Sequence, residues 1–429
     1  MQPFLDAARA GMIRAPPGPA RGPANPTPRE VDPMTAPAVS ELATPVRLLL
    51  GPGPSPVHPR VFRAMVTPLL GHLDPRFLEI MNEVQAQLRW VFQTRNPFTI
   101  AVSGTGSAGM EAALVNLLEP GDTAIVCAAG VFGNRMADIV GRAGARLVKL
   151  EVPWGQTFPR AMIEEALARH APVKAVGIVH AETSTGAQQP MEGLGKLCHD
   201  HGSLLVADTV TSLGGVPVTV DAWEADAVYS GTQKCLSCPP GLSPLTLSPR
   251  ALDAIRARKT KVQSWYLDCG MIADYWAEGK RVYHHTAPIT MVYALREALR
   301  IVGEEGLEPR FARHRRNSAA LMAGLAVLGC RPQAQEGHRL PSLNCITVPE
   351  GVDEAAVRKA LLSDFNIEIG GGLGPLAGKV WRIGLMGHGS AQENVLAVLS
   401  AIEQALVRQG KKIAPGAAAG AALQVYESA

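Results

Sequence analysis

Phe98-Thr-Ile-Ala-Val-Ser103, Gly104-Thr-Gly-Ser-Ala-Gly-Met-Glu-Ala-Ala-Leu-Val-Asn-Leu-Leu118, Glu119-Pro-Gly-Asp122 and Thr123-Ala-Ile-Val-Cys127 follow one another without a break. The first and last are short apolar runs of strand type. Residues 108–118 have helical character, and Pro-Gly ends them. A strand, a helix and a second strand in that order predict a right-handed crossover and a parallel sheet. The alternation continues with helices predicted at 134–143, 159–171 and 194–201, and strands at 146–150, 175–180, 203–207 and 227–230. After about residue 290 the order changes. Long helices are predicted at 289–303 and 307–328, then strands at 343–348 and 380–385 around a helix at 353–364. The fold expected is α/β, a mostly parallel sheet with helices on both faces, plus a smaller α+β domain.

The expected division is a Pro-rich disordered tail (1–45), a large domain (46–304), a small domain (305–410) and a flexible Ala/Gly-rich tail (411–429). Nine of the 34 prolines fall within residues 1–40. Arg9, Arg14, Arg21 and Arg29 suggest a transit peptide, whereas Asp6, Glu30, Asp32 and the prolines oppose an acid-poor presequence; Met34 offers an alternative start. Across 429 residues, 47% are apolar and 18% charged, enough for a large core. A net charge of +3 gives no reason to expect a nucleic-acid partner. No uninterrupted apolar run reaches the roughly 18 residues of a membrane helix. Seven cysteines without framework spacing predict reduced thiols and a cytoplasmic protein.

Gly104-Thr-Gly-Ser-Ala-Gly109 has the Gly-x-Gly-x-x-Gly form between a strand and a helix. A dinucleotide site would need an acidic residue at the end of the next strand, where Cys127-Ala-Ala-Gly130 stands instead. Two readings remain for the loop: a helix N-terminus that binds one phosphate, or a tight connection with no ligand. Downstream, Ser203-Leu-Leu-Val-Ala-Asp208 ends a strand in a carboxylate, and Tyr229-Ser-Gly-Thr-Gln-Lys234 ends the next in a lysine. An amine for an aldehyde, an anion for a ring nitrogen and donors for a phosphate are the needs of pyridoxal 5′-phosphate (PLP).

With those residues in place, the sequence resembles the class V aminotransferases of PLP fold type I, built on a seven-stranded-type sheet. Within them it is similar to the alanine–glyoxylate and serine–pyruvate (serine–glyoxylate) group. The motifs are Leu50-Gly-Pro-Gly-Pro54, Ser103-Gly-Thr-Gly106, Glu182-Thr-Ser-Thr-Gly186, Asp208-Thr-Val-Thr-Ser-Leu-Gly-Gly215, Ser230-Gly-Thr-Gln-Lys234, Tyr283-His-His-Thr286 and Arg382-Ile-Gly384. The resemblance implies that Lys234 binds the cofactor aldehyde and serves as the base, and that Asp208 pairs with the pyridine nitrogen. It implies that Phe132 stacks on the ring and Thr183 touches the ring side. Thr105 and Gly106 would bind the phosphate, with Gln233 beside the lysine; Ser107 would also belong to the cofactor site, where some relatives have a histidine. Tyr283 and Thr286 would reach the neighbouring subunit's phosphate, making a homodimer with shared sites. Arg382 would clamp the substrate carboxylate, with Gly53 beside the substrate.

The implied reaction is transfer of an amino group from alanine or serine to glyoxylate or pyruvate by ping-pong steps. The alternative is (S)-ureidoglycine–glyoxylate transamination in purine catabolism. A nicotinamide dehydrogenase lacks its ribose acid here, and a non-catalytic dimeric binding protein would have no use for Asp208, Lys234 and Arg382 together. Cys235-Leu-Ser-Cys238 is read as packing, since no partners for a metal or redox site accompany it. Cys330 and Cys345 are read as fixed rather than mobile, which opposes a cysteine desulfurase. His284 and His285, adjacent on an extended segment, are expected to point opposite ways rather than hold a metal. Gly370-Gly-Gly-Leu-Gly374 is read as a close approach of chain to substrate.

Overall fold

A computed structural model describes Ala36, residues 39–277 and residues 281–428. Seven strands form the main sheet: β1 (Phe98–Ser103), β2 (Thr123–Ala128), β3 (Arg146–Glu151), β4 (Ala175–Val179), β5 (Leu204–Asp208), β6 (Ala227–Tyr229) and β7 (Leu242–Leu247). Their order is β1-β7-β6-β5-β4-β2-β3, and β7 alone in this sheet runs antiparallel to its neighbours. The inner strands are apolar on both faces because helices cover both: Ile125, Val126, Val176, Ile178, Leu205 and Val206 are all buried. The edge strand β3 keeps Arg146, Leu147, Lys149 and Glu151 exposed or half-buried, which blunts an open edge.

The sequence reading had no strand at 242–247, where Pro244 disguises the run. It also placed the start of the second helix too late. That helix is Val131–Arg142, and Phe132 lies in its first turn. No neighbouring side chain caps it. Instead Ser184 Oγ accepts the Val131 amide at 3.1 Å, and Glu182 Oε2 accepts those of Phe132 and Gly133 at 3.2 and 3.3 Å. Caps 49 to 53 residues away leave no local signature.

A second apolar cluster gathers around β8 (Leu343–Thr347), β9 (Gly370–Gly371) and β10 (Val380–Gly384), an antiparallel sheet in the order β8-β10-β9. It takes Trp381 and Ile383 from the sheet, and Leu321, Leu325, Leu399 and Ile402 from the helices Leu307–Val327 and Gln392–Arg408. Leu50 belongs to this cluster too, just after Leu48–Leu49 pairs in parallel with Ile367–Glu368. The preceding helix Ile289–Glu305 packs in the first cluster, through residues such as Leu295 and Leu299.

The flexible C-terminal tail is corrected. Ala417–Glu427 is a helix that buries Ala418, Ala422 and Tyr426 against Leu307–Val327. Its alanines favour helix, and Glu403 caps it from the previous helix, accepting the Gly416 and Ala418 amides at 2.7 and 3.0 Å. Tyr426 Oη donates to Asn317 Oδ1 at 2.7 Å. Of the expected N-terminal tail, Ala36 and residues 39–45 carry no helix or strand, and the rest lies outside the described residues. Among the described residues no helix is long and apolar enough to cross a membrane. In urea unfolding, Tyr426→Phe should cost about 1 kcal/mol for the lost hydrogen bond. Tyr426→Ala should cost about 3 kcal/mol for the lost packing as well. Unchanged midpoints for both would return this segment to the status of a loose tail.

Candidate active site

In a parallel sheet the strand ends and the following loops share one edge, so side chains distant in sequence meet there. Asp208 ends β5 and Tyr229 ends β6, directly paired in register. The Tyr229 hydroxyl donates to Asp208 Oδ2 at 2.9 Å, and the Val210 amide donates to Oδ1 at 2.8 Å. Asp208 is 2% exposed. Burial pushes its carboxyl up from 3.8 to about 6, against these two donors.

Lys234 lies five residues beyond β6 and is also buried. Its Nζ donates to the Pro52 carbonyl. The segment around Pro52 grips the lysine backbone as well: Ser55 Oγ donates to the Lys234 carbonyl at 2.6 Å, and the Ser55 amide to that of Gln233 at 2.9 Å. Gly53 has φ +104°, and a Cβ there would stand 2.5 Å from Nζ. Only glycine lets this turn lie against the lysine. Burial pulls the amine down from 10.5 to about 8, and the charges of Arg382 and Arg135 push the same way, while Cys235 and Asp208 oppose.

Arg382 sits on β10, which carries it from the second cluster towards the first. It is 6% exposed, and burial lowers its pKa. Its Nε donates to Gly371 O at 2.8 Å and one Nη to Thr183 O at 3.3 Å. Among the described residues it has no carboxylate ion-pair partner, so a buried guanidinium awaits an anion. In the glycine run, a Cβ on Gly370 would stand 2.6 Å from Pro52 Cδ, on the residue whose carbonyl holds Lys234.

Thr105 precedes the helix Gly106–Leu117; the Ala108 amide already donates to Thr105 O at 2.7 Å, leaving those of Gly106 and Ser107 ahead of the intrahelical ladder. Thr105 and Ser107 are exposed there, and Gly106 packs under Val210. Gln233 Oε1 is buried without a hydrogen-bond partner among the described residues. Phe132 is half-buried beside Gly130, where any side chain would collide with Glu182 and Ser184. Thr183 Oγ1 is paired with Thr211 Oγ1 at 2.6 Å.

The sites implied for a second subunit are not drawn into this chain's cluster. Tyr283 is 54% exposed and Thr286 is exposed. The expectation for the histidine pair is corrected: Nδ1 of His284 and Nδ1 of His285 meet at 2.7 Å because the backbone turns there, and His285 Nε2 reaches Ser103 Oγ at 2.7 Å. All seven cysteines are unpaired and buried. Four contributors carried no role in the sequence reading: Pro52, Tyr229, Glu182 and Arg135. Tyr229 could have been found from its register with Asp208, and Arg135 from its place three residues after Phe132. Pro52 and Glu182 lie within two of the quoted motifs, but their partners, 182 and 50 residues away, are not legible from them.

Residues 60–394 match the family described as Aminotransferase class-V. The chain is 43% identical to the (S)-ureidoglycine–glyoxylate transaminase of Bacillus subtilis, over 91% of this chain and 97% of the relative. It is 44% identical to the alanine–glyoxylate aminotransferase of Callithrix jacchus, over 86% and 90%. The crystal structure of alanine–glyoxylate aminotransferase from Nostoc sp. superposes with a TM-score of 0.85 at 51% identity, covering 86% of this chain and 97% of that one.

The buried lysine makes a test of the geometry that needs no substrate. In the cofactor-free chain, a folded pKa near 8 against 10.5 means that the cost of burying the ammonium is fully present below pH 8. It fades as pH rises from 8 to 10.5, where the unfolded chain holds the proton and the folded chain does not. Lys234→Met should therefore stabilise the cofactor-free chain at pH 7, on the order of a few kcal/mol. The gain should shrink above pH 8 in denaturant titrations run across pH. A variant less stable at pH 7, or a gain independent of pH, would contradict the buried position of the amine.

Proposed function

The chain belongs to the class-V aminotransferases, and from that premise we propose that it moves the amino group of a small amino acid, alanine or serine, to glyoxylate or pyruvate. The family's cofactor is PLP, and transamination is its reaction. The observation that carries the assignment of roles is the convergence of Lys234, Asp208 and Arg382 at one sheet edge.

The residues present fit the cofactor. The Gln233 side-chain amide, whose Oε1 is buried without a partner beside the lysine, would turn its NH2 toward a phosphate oxygen, and Thr105 and Ser107 are exposed at the start of the helix that begins at Gly106. Phe132 offers a flat face for the ring. Asp208 is a buried carboxylate that a protonated ring nitrogen would satisfy. When bound, PLP supplies an aldehyde that takes the amino group and a ring that accepts the electrons released at the substrate Cα. The protein supplies the rest. Arg382 holds the substrate carboxylate in a bidentate grip, fixing which bond at Cα is exposed. Lys234, with an amine near pKa 8, takes the Cα proton and returns it one position away. Water supplies the keto oxygen as the donor leaves as its 2-oxo acid; the acceptor runs the same steps backwards, giving up its keto oxygen as water and leaving as the amino acid, which gives ping-pong kinetics.

Tyr283 and Thr286, exposed in the single chain, support a homodimer in which each subunit completes its partner's site. Seven unpaired thiols support a cytoplasmic setting. The second reading, a donor bearing a ureido group, rests on the likeness to the Bacillus relative. Rates measured with alanine, serine and ureidoglycine as donors to glyoxylate separate the two: alanine or serine fastest is expected, and ureidoglycine fastest would favour the second. Lys234→Ala should lower turnover by roughly 10³-fold or more. Arg382→Lys, which replaces a fork by a point charge, should raise the donor KM about tenfold or more. Near-normal kinetics in either variant would remove that residue from its role.

A further inference from the structure

The groups expected around the cofactor phosphate are Thr105, Gly106, Ser107, Gln233, Tyr283 and Thr286, and none of them carries a charge. A phosphate monoester holds about −1.5 to −2 at pH 7. A helix N-terminus offsets about half a charge. His285 lies near, bonded to Ser103 at the end of β1, but burial lowers its pKa below 6.5, so it adds little charge at neutral pH. The amine of Lys234 is committed to the aldehyde. Those groups leave most of a negative charge uncompensated.

We propose that Arg135 completes the phosphate subsite, supplying a fixed positive charge beside the first turn of the helix Gly106–Leu117. One Nη of Arg135 donates to Ser107 Oγ at 3.0 Å. Ser107 then accepts from the guanidinium and keeps its own O–H free to donate to a phosphate oxygen. The guanidinium carbon lies 4.9 Å from the centroid of the Phe132 ring. Residues three apart share a helix face, so one helix presents both the stacking ring and the cation. Glu182 fixes the start of that helix through the Phe132 and Gly133 amides. Among the described residues Arg135 has no carboxylate ion-pair partner, which leaves its charge available. Arg135 is exposed, and its charge is nonetheless one of those that push the Lys234 amine down. The proposal rests on the reading that PLP occupies this site, and it names a residue to which that reading gave no role.

The test titrates PLP, and separately pyridoxal, into the full-length chain stripped of cofactor, following cofactor absorbance and intrinsic fluorescence. Wild type, Arg135→Gln and Arg135→Lys are compared, with inorganic phosphate as competitor. Arg135→Gln should weaken PLP binding about tenfold or more. It should leave pyridoxal binding within about twofold and blunt competition by phosphate, while Arg135→Lys recovers most of the loss. Unchanged PLP affinity in Arg135→Gln would overturn the proposal. Equal weakening of PLP and pyridoxal would also overturn it, since Arg135 would then act through the ring or the fold. A wild-type chain that takes up no PLP would instead overturn the cofactor reading beneath it.

Discussion

A carboxylate buried at the edge of a sheet is costly unless something positive answers it, and Asp208 is such a group. The chain gives it one backbone amide and one phenol, which do not cancel the cost of burial. Much of the architecture serves to hold this carboxylate in place. The parallel pairing of β5 and β6 sets Asp208 beside Tyr229, and the loop that leaves β6 returns with Lys234. The protonated ring nitrogen of a bound PLP would answer that charge, and the carboxylate would in turn keep the ring able to accept electrons. The cost to the fold and the gain to the chemistry come from the same carboxylate.

Lys234 and Arg382 repeat the logic with the opposite sign. Both are cations held out of water, and both are held by carbonyl oxygens rather than by carboxylates: Pro52 for the lysine, Gly371 and Thr183 for the arginine. Carbonyls orient a cation without neutralising it. Burial leaves the lysine with an amine whose pKa is about 8, and among the described residues no carboxylate pairs with the arginine. The glycines nearby are consequences of this crowding. Gly53 lets the chain lie on the lysine, and Gly370 lets β9 lie on Pro52.

The main sheet was legible because its inner strands are apolar on both faces and alternate with helices, a pattern that survives without any tertiary information. Asp208 was legible as a polar residue ending such a strand; Lys234 was read the same way, but it lies in the loop five residues beyond β6 rather than at its end. The failures have physical causes. Pro244 masked β7, which tolerates a proline in its antiparallel position opposite Ala101. The starts of Val131–Arg142 and Ala417–Glu427 were missed because their caps, Glu182 and Glu403, come from other elements. Composition misled at the C-terminus, where an Ala/Gly-rich run packs closely precisely because its side chains are small. Pro52 holds Lys234 across 182 residues, a separation at which only the folded chain brings them together.

The central claim is that Lys234, Asp208 and Arg382 form a working PLP site for a small amino acid. The most direct measurement is the visible absorption spectrum of the purified full-length protein, supplied with PLP, before and after addition of L-alanine. The account predicts a yellow band that moves to shorter wavelength with alanine and returns when glyoxylate is added. A protein that stays colourless in the presence of PLP would contradict it.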